Sequence, residues 1–250
     1  MSNSSLVTYT KLSPNCNKPR NHAIDTITIH CTAGQGTAQS ILGLSSFTNY
    51  DPVNGYSCNY AVGKDGSIGL CVEEANRSWC SSSGDNDHRA ITIEVSSDSY
   101  SPYKVTEQAL AALIDLLADI CQRNGIKKLV WSDNKDDRVN HRNGCNMTCH
   151  RDFANKACPG DYLYALEGDI AESVNKRLEE DEEVTQEQFN AMMETYLTQQ
   201  RSKETSDWAA QAWEKATASG VFDGTNPQGP LSREQASLVL DRLGLLEKGD

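Results

Sequence analysis

The chain has 250 residues, 38% of them hydrophobic, and a formal net charge of -12. Residues 179–250 carry -9 of that charge and the first 178 residues carry -3. This acidity excludes nucleic acid as an expected partner, because phosphate binding draws on Lys and Arg to release counterions. The absence of any run of eighteen apolar residues excludes a membrane-spanning helix.

In chain order, the N-terminal segment "MSNSSLVTYTKLSPNCNKPRN" lacks the apolar core of a secretory signal, which predicts the producing cell's cytoplasm as the chain's location. "AIDTITIHCTA" (23–33) is rich in β-branched residues and reads as a strand, and "TAQSILGLSSFTNY" (37–50) as a helix. "CNYAVGKDGSIGLCV" (58–72) reads as a hairpin turning at Asp65-Gly66. "RAITIEVSSD" (89–98) is another alternating strand. "TEQALAALIDLLADICQRNG" (106–125) repeats Leu110, Leu113, Ile114, Leu117 and Ile120 at helical spacing, with Thr106 to cap it and Gly125 to end it. "KKLVWS" (127–132) predicts a short strand, and residues 160–180 a third helix. Strands alternating with helices predict an α/β fold, a mixed central β-sheet flanked by helices. The charge run 178–188 then leads into three helical segments, so a small all-α C-terminal domain is expected. The predicted division is 1–178, an acidic linker and helix over 179–206, and 207–250.

All nine cysteines lie within the first 158 residues. An odd number without a signal segment predicts reduced thiols rather than a secreted disulfide framework. In "CHRDFANKACPGDYLY" (149–164), His150 and Cys158 offer two metal ligands, and His30 at the end of the first long strand offers a third. Three protein ligands and one open position are what catalytic zinc takes. A helix N-terminus after Cys158 and the nearby Lys156 predict a thiolate at Cys158. By strand alternation, Cys31 is expected to point away from His30. His141, Cys145, Cys149 and His150 also cluster in sequence, leaving a second, structural zinc open, as well as His141 in place of His150.

The pieces "TITIHCTAG", "CNYAVGKDGSIGLCVEEANRSW", "NDHRAITIEVSSD" and "CHRDFANKACPGDYLY" occur in the order found in the zinc-dependent N-acetylmuramoyl-L-alanine amidases. The chain resembles that family of type-2 amidases, phage lysozymes and peptidoglycan recognition proteins over roughly residues 22–178. The resemblance implies a Zn2+ cofactor held by His30, His150 and Cys158. It implies Lys156 as a transition-state stabiliser, Glu94 as the general base of one branch, and Tyr60 as the residue that approaches the reacting water in another. The implied reaction is hydrolysis of the amide between N-acetylmuramic acid and L-alanine in bacterial peptidoglycan, as in a phage endolysin or autolysin. Trp79, Asn86 and Arg89, in or beside the loop over 78–90, are candidate substrate contacts. A peptidoglycan-binding module that does not cut, and a thiol peptidase using Cys158 with His150, are the rival readings.

Residues 207–244 resemble an S-layer-homology motif through Trp208, "AWEKA", Gly220-Val221-Phe222, Gly224, Pro230 and "LSREQASLVLDRL". That resemblance implies binding of a secondary cell-wall polymer. Two other readings stay open: homo-oligomerisation through the C-terminal helices, aided by the stripe Phe189, Met192, Met193, Tyr196 and Leu197, and a bare helical hairpin with Trp208, Trp213, Phe222, Leu238 and Leu240 as its core.

Overall fold

The computed structural model describes residues 2–180 and 186–246, and the chain divides into two compact units, Met1–Glu182 and Glu183–Asp250. In the first unit the strands are β1 (Tyr9–Thr10), β2 (Cys16–Asn17), β3 (Thr26–Cys31), β4 (Tyr60–Val62), β5 (Ile68–Leu70), β6 (Arg77–Ser78), β7 (Ala90–Val95) and β8 (Met147–Cys149). Six of them form one mixed sheet in the order β1-β5-β4-β7-β3-β8, and β2 pairs with β6. β3 runs parallel to both β7 and β8, while β4 and β5 are antiparallel across the predicted turn. The helices are α1 (Ala38–Leu42), α2 (Ser45–Thr48), α3 (Gly84–Arg89), α4 (Glu107–Asn124), α5 (Lys135–Val139) and α6 (Gly160–Glu180).

The two faces of the sheet are built from different chemistry. Ile27, Ile29, Ile91, Ile93 and Met147 join Leu113, Leu116, Leu117 and Ile120 of α4 and Leu163, Ile170 and Val174 of α6 in one apolar core. The other face carries buried Thr26, Thr28, Thr92 and Thr148, whose hydroxyls must find partners because water cannot reach them. Thr28 and Thr148 share a 2.8 Å hydrogen bond, and Asn86 of α3 bridges them, donating to Thr28 at 3.0 Å and accepting from Thr148 at 3.0 Å. The central strands are therefore covered on both sides.

Thr106 accepts from the Ala109 amide, and Gly125 closes α4 at φ 70, so both caps stand where the spacing puts them. The segment expected as one helix over 37–50 is two short helices, α1 and α2, parted by Gly43 and Leu44. The expected strand over 127–132 lies outside any backbone ladder, tied to the residue before β8 by a single backbone bond from the Asn146 amide to the Val130 carbonyl at 3.1 Å. Side-chain amides substitute for a ladder: Leu129 exchanges two hydrogen bonds with Asn175 of α6, at 2.7 and 2.8 Å, and the Val130 amide donates to Asn146 Oδ1 at 2.8 Å.

The second unit holds α7 (Gln186–Arg201), α8 (Ala210–Ala218) and α9 (Arg233–Arg242). Ser232 and Gln235 form a reciprocal capping box at the start of α9. None of the three helices contains a buried residue. The expected hairpin core is only partly assembled: Trp213 and Phe222 stack with ring centroids 5.2 Å apart, but Trp208 is 90% exposed. No described helix is long and apolar enough to cross a membrane.

Candidate active site

The strand register sets the site. β3 and β7 are parallel neighbours with His30 paired to Glu94, so both side chains emerge on the same face at the carboxyl end of the sheet. Next to them, β8 ends at Cys149 and hands the chain to the turn that carries His150. That turn is anchored from below. Asp152 accepts from the Cys149 amide at 2.9 Å and is gripped by the buried Arg138 guanidinium, at 2.6 Å from Nη2 and 3.0 Å from Nε. Cys158 arrives through a turn into α6 that Gly160 makes at φ 83, where a Cβ would lie 2.6 Å from Tyr103 Cβ.

These elements bring His30, His150 and Cys158 together, with one ligand-capable atom of each within 4.8 Å of the others. His30 Nδ1 lies 3.4 Å from Cys158 Sγ, and the His30 and His150 rings are 5.1 Å apart, edge to face. Zinc held tetrahedrally, with bonds of about 2.0 Å to nitrogen and 2.3 Å to sulfur, would keep such an N and S pair roughly 3.5 Å apart. His30 is fully buried, its Nε2 has no hydrogen-bond partner, and burial with the neighbouring His150 pushes its pKa down to about 3. It is therefore a neutral imidazole with a lone pair to give. Burial, then Lys156, also lowers His150, whose Nε2 meets the Ser82 hydroxyl at 2.9 Å. The donor set fits Zn2+.

Cys158 corrects one expectation. As a free thiol it is held well above the ordinary cysteine range, first by its interaction with Cys31 and then by burial. The thiolate expected from the helix terminus and Lys156 thus requires a bound cation, which deprotonates a coordinating thiol. Cys31 corrects another. It does lie on the face opposite His30, but Cys158 sits beyond the strand's end, where it meets both: the Cys31 amide donates to Cys158 Sγ at 3.4 Å.

A cleft of about 770 Å³ opens beside these groups, lined among others by His150, Lys156, Glu94, Cys80, Arg77, Trp79 and Ser82. Glu94 Oε2 is buried without a hydrogen-bond partner, and Oε1 lies 4.0 Å from Cys80 Sγ. Burial, then Cys31 and Cys71, pushes this carboxyl up to about 8. His30, Cys80 and Glu94 form a second group of the right size for a metal. The two groups share His30, and only the one with His150 and Cys158 offers two imidazoles.

Three expected site residues lie elsewhere. Tyr60 is fully buried in the apolar core, donating to Glu74 at 2.6 Å and accepting from the Ser4 amide, so its hydroxyl cannot reach a reacting water at His30. Asn86 is buried and spends its amide on Thr28, Ser81 and Thr148. Arg89 forms a two-pronged pair with Asp25 at 3.0 and 2.6 Å and does not line the cleft. Trp79 does line it, with Nε1 tied to Asn17 at 2.6 Å. The second zinc cluster is not assembled: both metal-sized groups among the described residues contain His30 and neither contains His141, Cys145 or Cys149. Cys149 instead meets Asp152 at 3.4 Å, and His141 meets the Cys145 carbonyl at 3.2 Å. Ser82, Cys80 and the Arg138–Asp152 anchor carry no sequence signal, since each acts through a contact between distant segments.

Fold and site define a mixed-sheet protein with a His, His, Cys donor set, of which His150 lines an open cleft. The chain belongs to the N-acetylmuramoyl-L-alanine amidase family, whose model matches residues 20–161. Among solved structures it is similar to PlyL, with 18% identity and a TM-score of 0.45 over 66% of this chain and 95% of that one. For a selenomethionine derivative of AmpD the figures are 16% and 0.48, over 70% and 95%. For the Drosophila peptidoglycan recognition protein SD they are 17% and 0.46, over 63% and 86%. No curated protein matches the chain.

Proposed function

We propose that this protein is a zinc-dependent amidase of the endolysin or autolysin type, which hydrolyses the amide joining N-acetylmuramic acid to L-alanine in peptidoglycan. The observation that carries the reading is the meeting of His30, His150 and Cys158, with Glu94 on the strand beside His30 and with His150 and Glu94 lining one cleft, within the residues matched to the family. His30, His150 and Cys158 would hold Zn2+, which when bound supplies a polarised scissile carbonyl and an acidified water. Glu94, on the strand beside His30, takes the water's proton; a carboxyl near 8 is a strong base once ionised. Lys156, exposed at the cleft's rim, donates toward the oxyanion or the leaving amine. Trp79 and Tyr50, with rings 6.3 Å apart, offer an apolar wall for sugar or peptide.

The 3.4 Å approach of Cys158 to His30 would also suit a thiol peptidase, but a thiol held protonated argues against it. A binding module without catalysis would be expected to lack a ligand, and all three are present. For residues 207–250 we favour wall-polymer binding, supported by the S-layer-homology resemblance and by exposed Trp208; the exposed stripe Phe189, Met192, Met193 and Tyr196 supports homo-oligomerisation as the second reading.

The test is digestion of purified peptidoglycan with mass analysis of the products. Stem peptides beginning at L-alanine, with intact glycan strands, are expected, and chelation should abolish their release. Cleaved glycan or cleaved cross-bridges, or undiminished activity after complete zinc removal, would overturn the reading.

A further inference from the structure

We propose that Cys31 and Cys158 form a reversible disulfide under peroxide, a modification site that dismantles the metal-binding set. The inference rests on the zinc reading of His30, His150 and Cys158. The Cys31 amide donates to Cys158 Sγ at 3.4 Å, which brings the Cys158 sulfur against the Cys31 residue itself. Both thiols are half-buried, and Cys31 lines the open cleft. Cys58 and Cys71 are also neighbours, but both are fully buried in an apolar cluster, out of an oxidant's reach. The Cys31–Cys158 pair thus combines proximity with access, and one of its sulfurs is a ligand.

The chemistry closes with a peroxide as oxidant. One thiol attacks the O–O bond to give a sulfenic acid and water; the other attacks that sulfur, the S–O bond breaks, and a second water leaves as the S–S bond forms. Two thiols and one hydrogen peroxide give one disulfide and two waters. The disulfide sulfur no longer offers a thiolate, so zinc would keep only the two imidazoles. A thiol reductant reverses the bond by exchange.

The test uses the full-length protein, reduced, loaded with zinc and titrated with hydrogen peroxide. Peptide mapping without reductant reads the cross-link, and a chromogenic chelator reads released zinc. Linkage of the Cys31 and Cys158 peptides is expected to track zinc release, with both reversed by dithiothreitol. Cys31→Ser should bind zinc at the same stoichiometry and lose the reversible release. Cys158 linked to another cysteine, Cys158 driven to a sulfinic acid while Cys31 stays reduced, or the same reversible release from Cys31→Ser would each overturn the inference. The wild-type map decides even if the variant fails to fold. A reduced protein that binds no zinc would instead overturn the proposed function, whereas one that binds zinc and cuts peptidoglycan without the cross-link overturns this inference alone.

Discussion

Arg138 and Asp152 form a buried ion pair directly beneath the turn that presents His150, with Nη2 2.6 Å from Oδ1 and both side chains at most 2% exposed. Arg138 also donates to the Ser132 carbonyl at 2.6 Å and stacks over Trp131 at 4.4 Å. Removing one partner would strand the other charge, at about 3–5 kcal/mol. Arg138→Met should lower unfolding stability by that amount in urea titrations and weaken zinc binding, although it touches no ligand. Unchanged zinc affinity would show that His150 is positioned without this anchor.

Tyr60→Phe separates the two roles assigned to Tyr60. The hydroxyl is bonded to Glu74 inside the core, and a hydrogen bond to a charged group is worth about 1.5–3 kcal/mol. The variant should lose that much stability while its kcat stays at the wild-type value at a temperature where both are folded. A large fall in kcat with unchanged stability would return Tyr60 to the chemistry.

Glu94→Gln keeps the shape of the carboxyl and removes its basicity. Zinc content should be unchanged, and kcat on peptidoglycan should fall by about 10²–10⁴-fold, the usual share of a positioned base. Near-normal turnover would assign the proton transfer to another group.

Glu167 of α6 is fully buried, and both of its carboxyl oxygens lack partners. Burial, reinforced by Asp152, raises its pKa well above the ordinary value. A raised acid favours folding fully below its unfolded pKa of about 4.3, and that contribution fades as pH climbs toward the folded value. Glu167→Met should therefore stabilise the protein at neutral pH by about 1–3 kcal/mol, the cost of an unsatisfied buried polar group. It should also flatten the decline of Tm that sets in as pH rises above about 4.3. An unaltered Tm-versus-pH curve would contradict the assignment.

Gly160→Ala tests the approach to Cys158. An L-residue at φ 83 with its Cβ 2.6 Å from Tyr103 Cβ is strained by about 1–3 kcal/mol. The turn must shift, so zinc affinity should fall along with stability. Retained affinity would mean that Cys158 is held by β3 rather than by the turn.

The central strands and long helices were legible because their patterns are local: β-branched runs in 26–31 and 90–95, and the capped 3.6 period of α4. The meeting of His30, His150 and Cys158 was legible through residue chemistry joined to motif order. The readings that failed concern where side chains point in three dimensions. Tyr60 matches a motif position, yet it faces α4 rather than His30. Asn86 and Arg89 look like loop polars, but the sheet's threonine face and Asp25 claim them. Cys31 was assigned by alternation, a rule that says nothing about a residue waiting beyond the strand's end.

The amides of Asn146 and Asn175 also have a colloidal consequence. A sheet whose outermost backbone groups stay open is a template for another chain. Here the segment beside β8 spends the Leu129 amide and carbonyl on a helix side chain, at 2.7 and 2.8 Å, so the rim ends in a group that cannot propagate a ladder. Asn175 thereby works as a guard against edge-to-edge aggregation, a property that belongs to the solution of molecules rather than to any one of them.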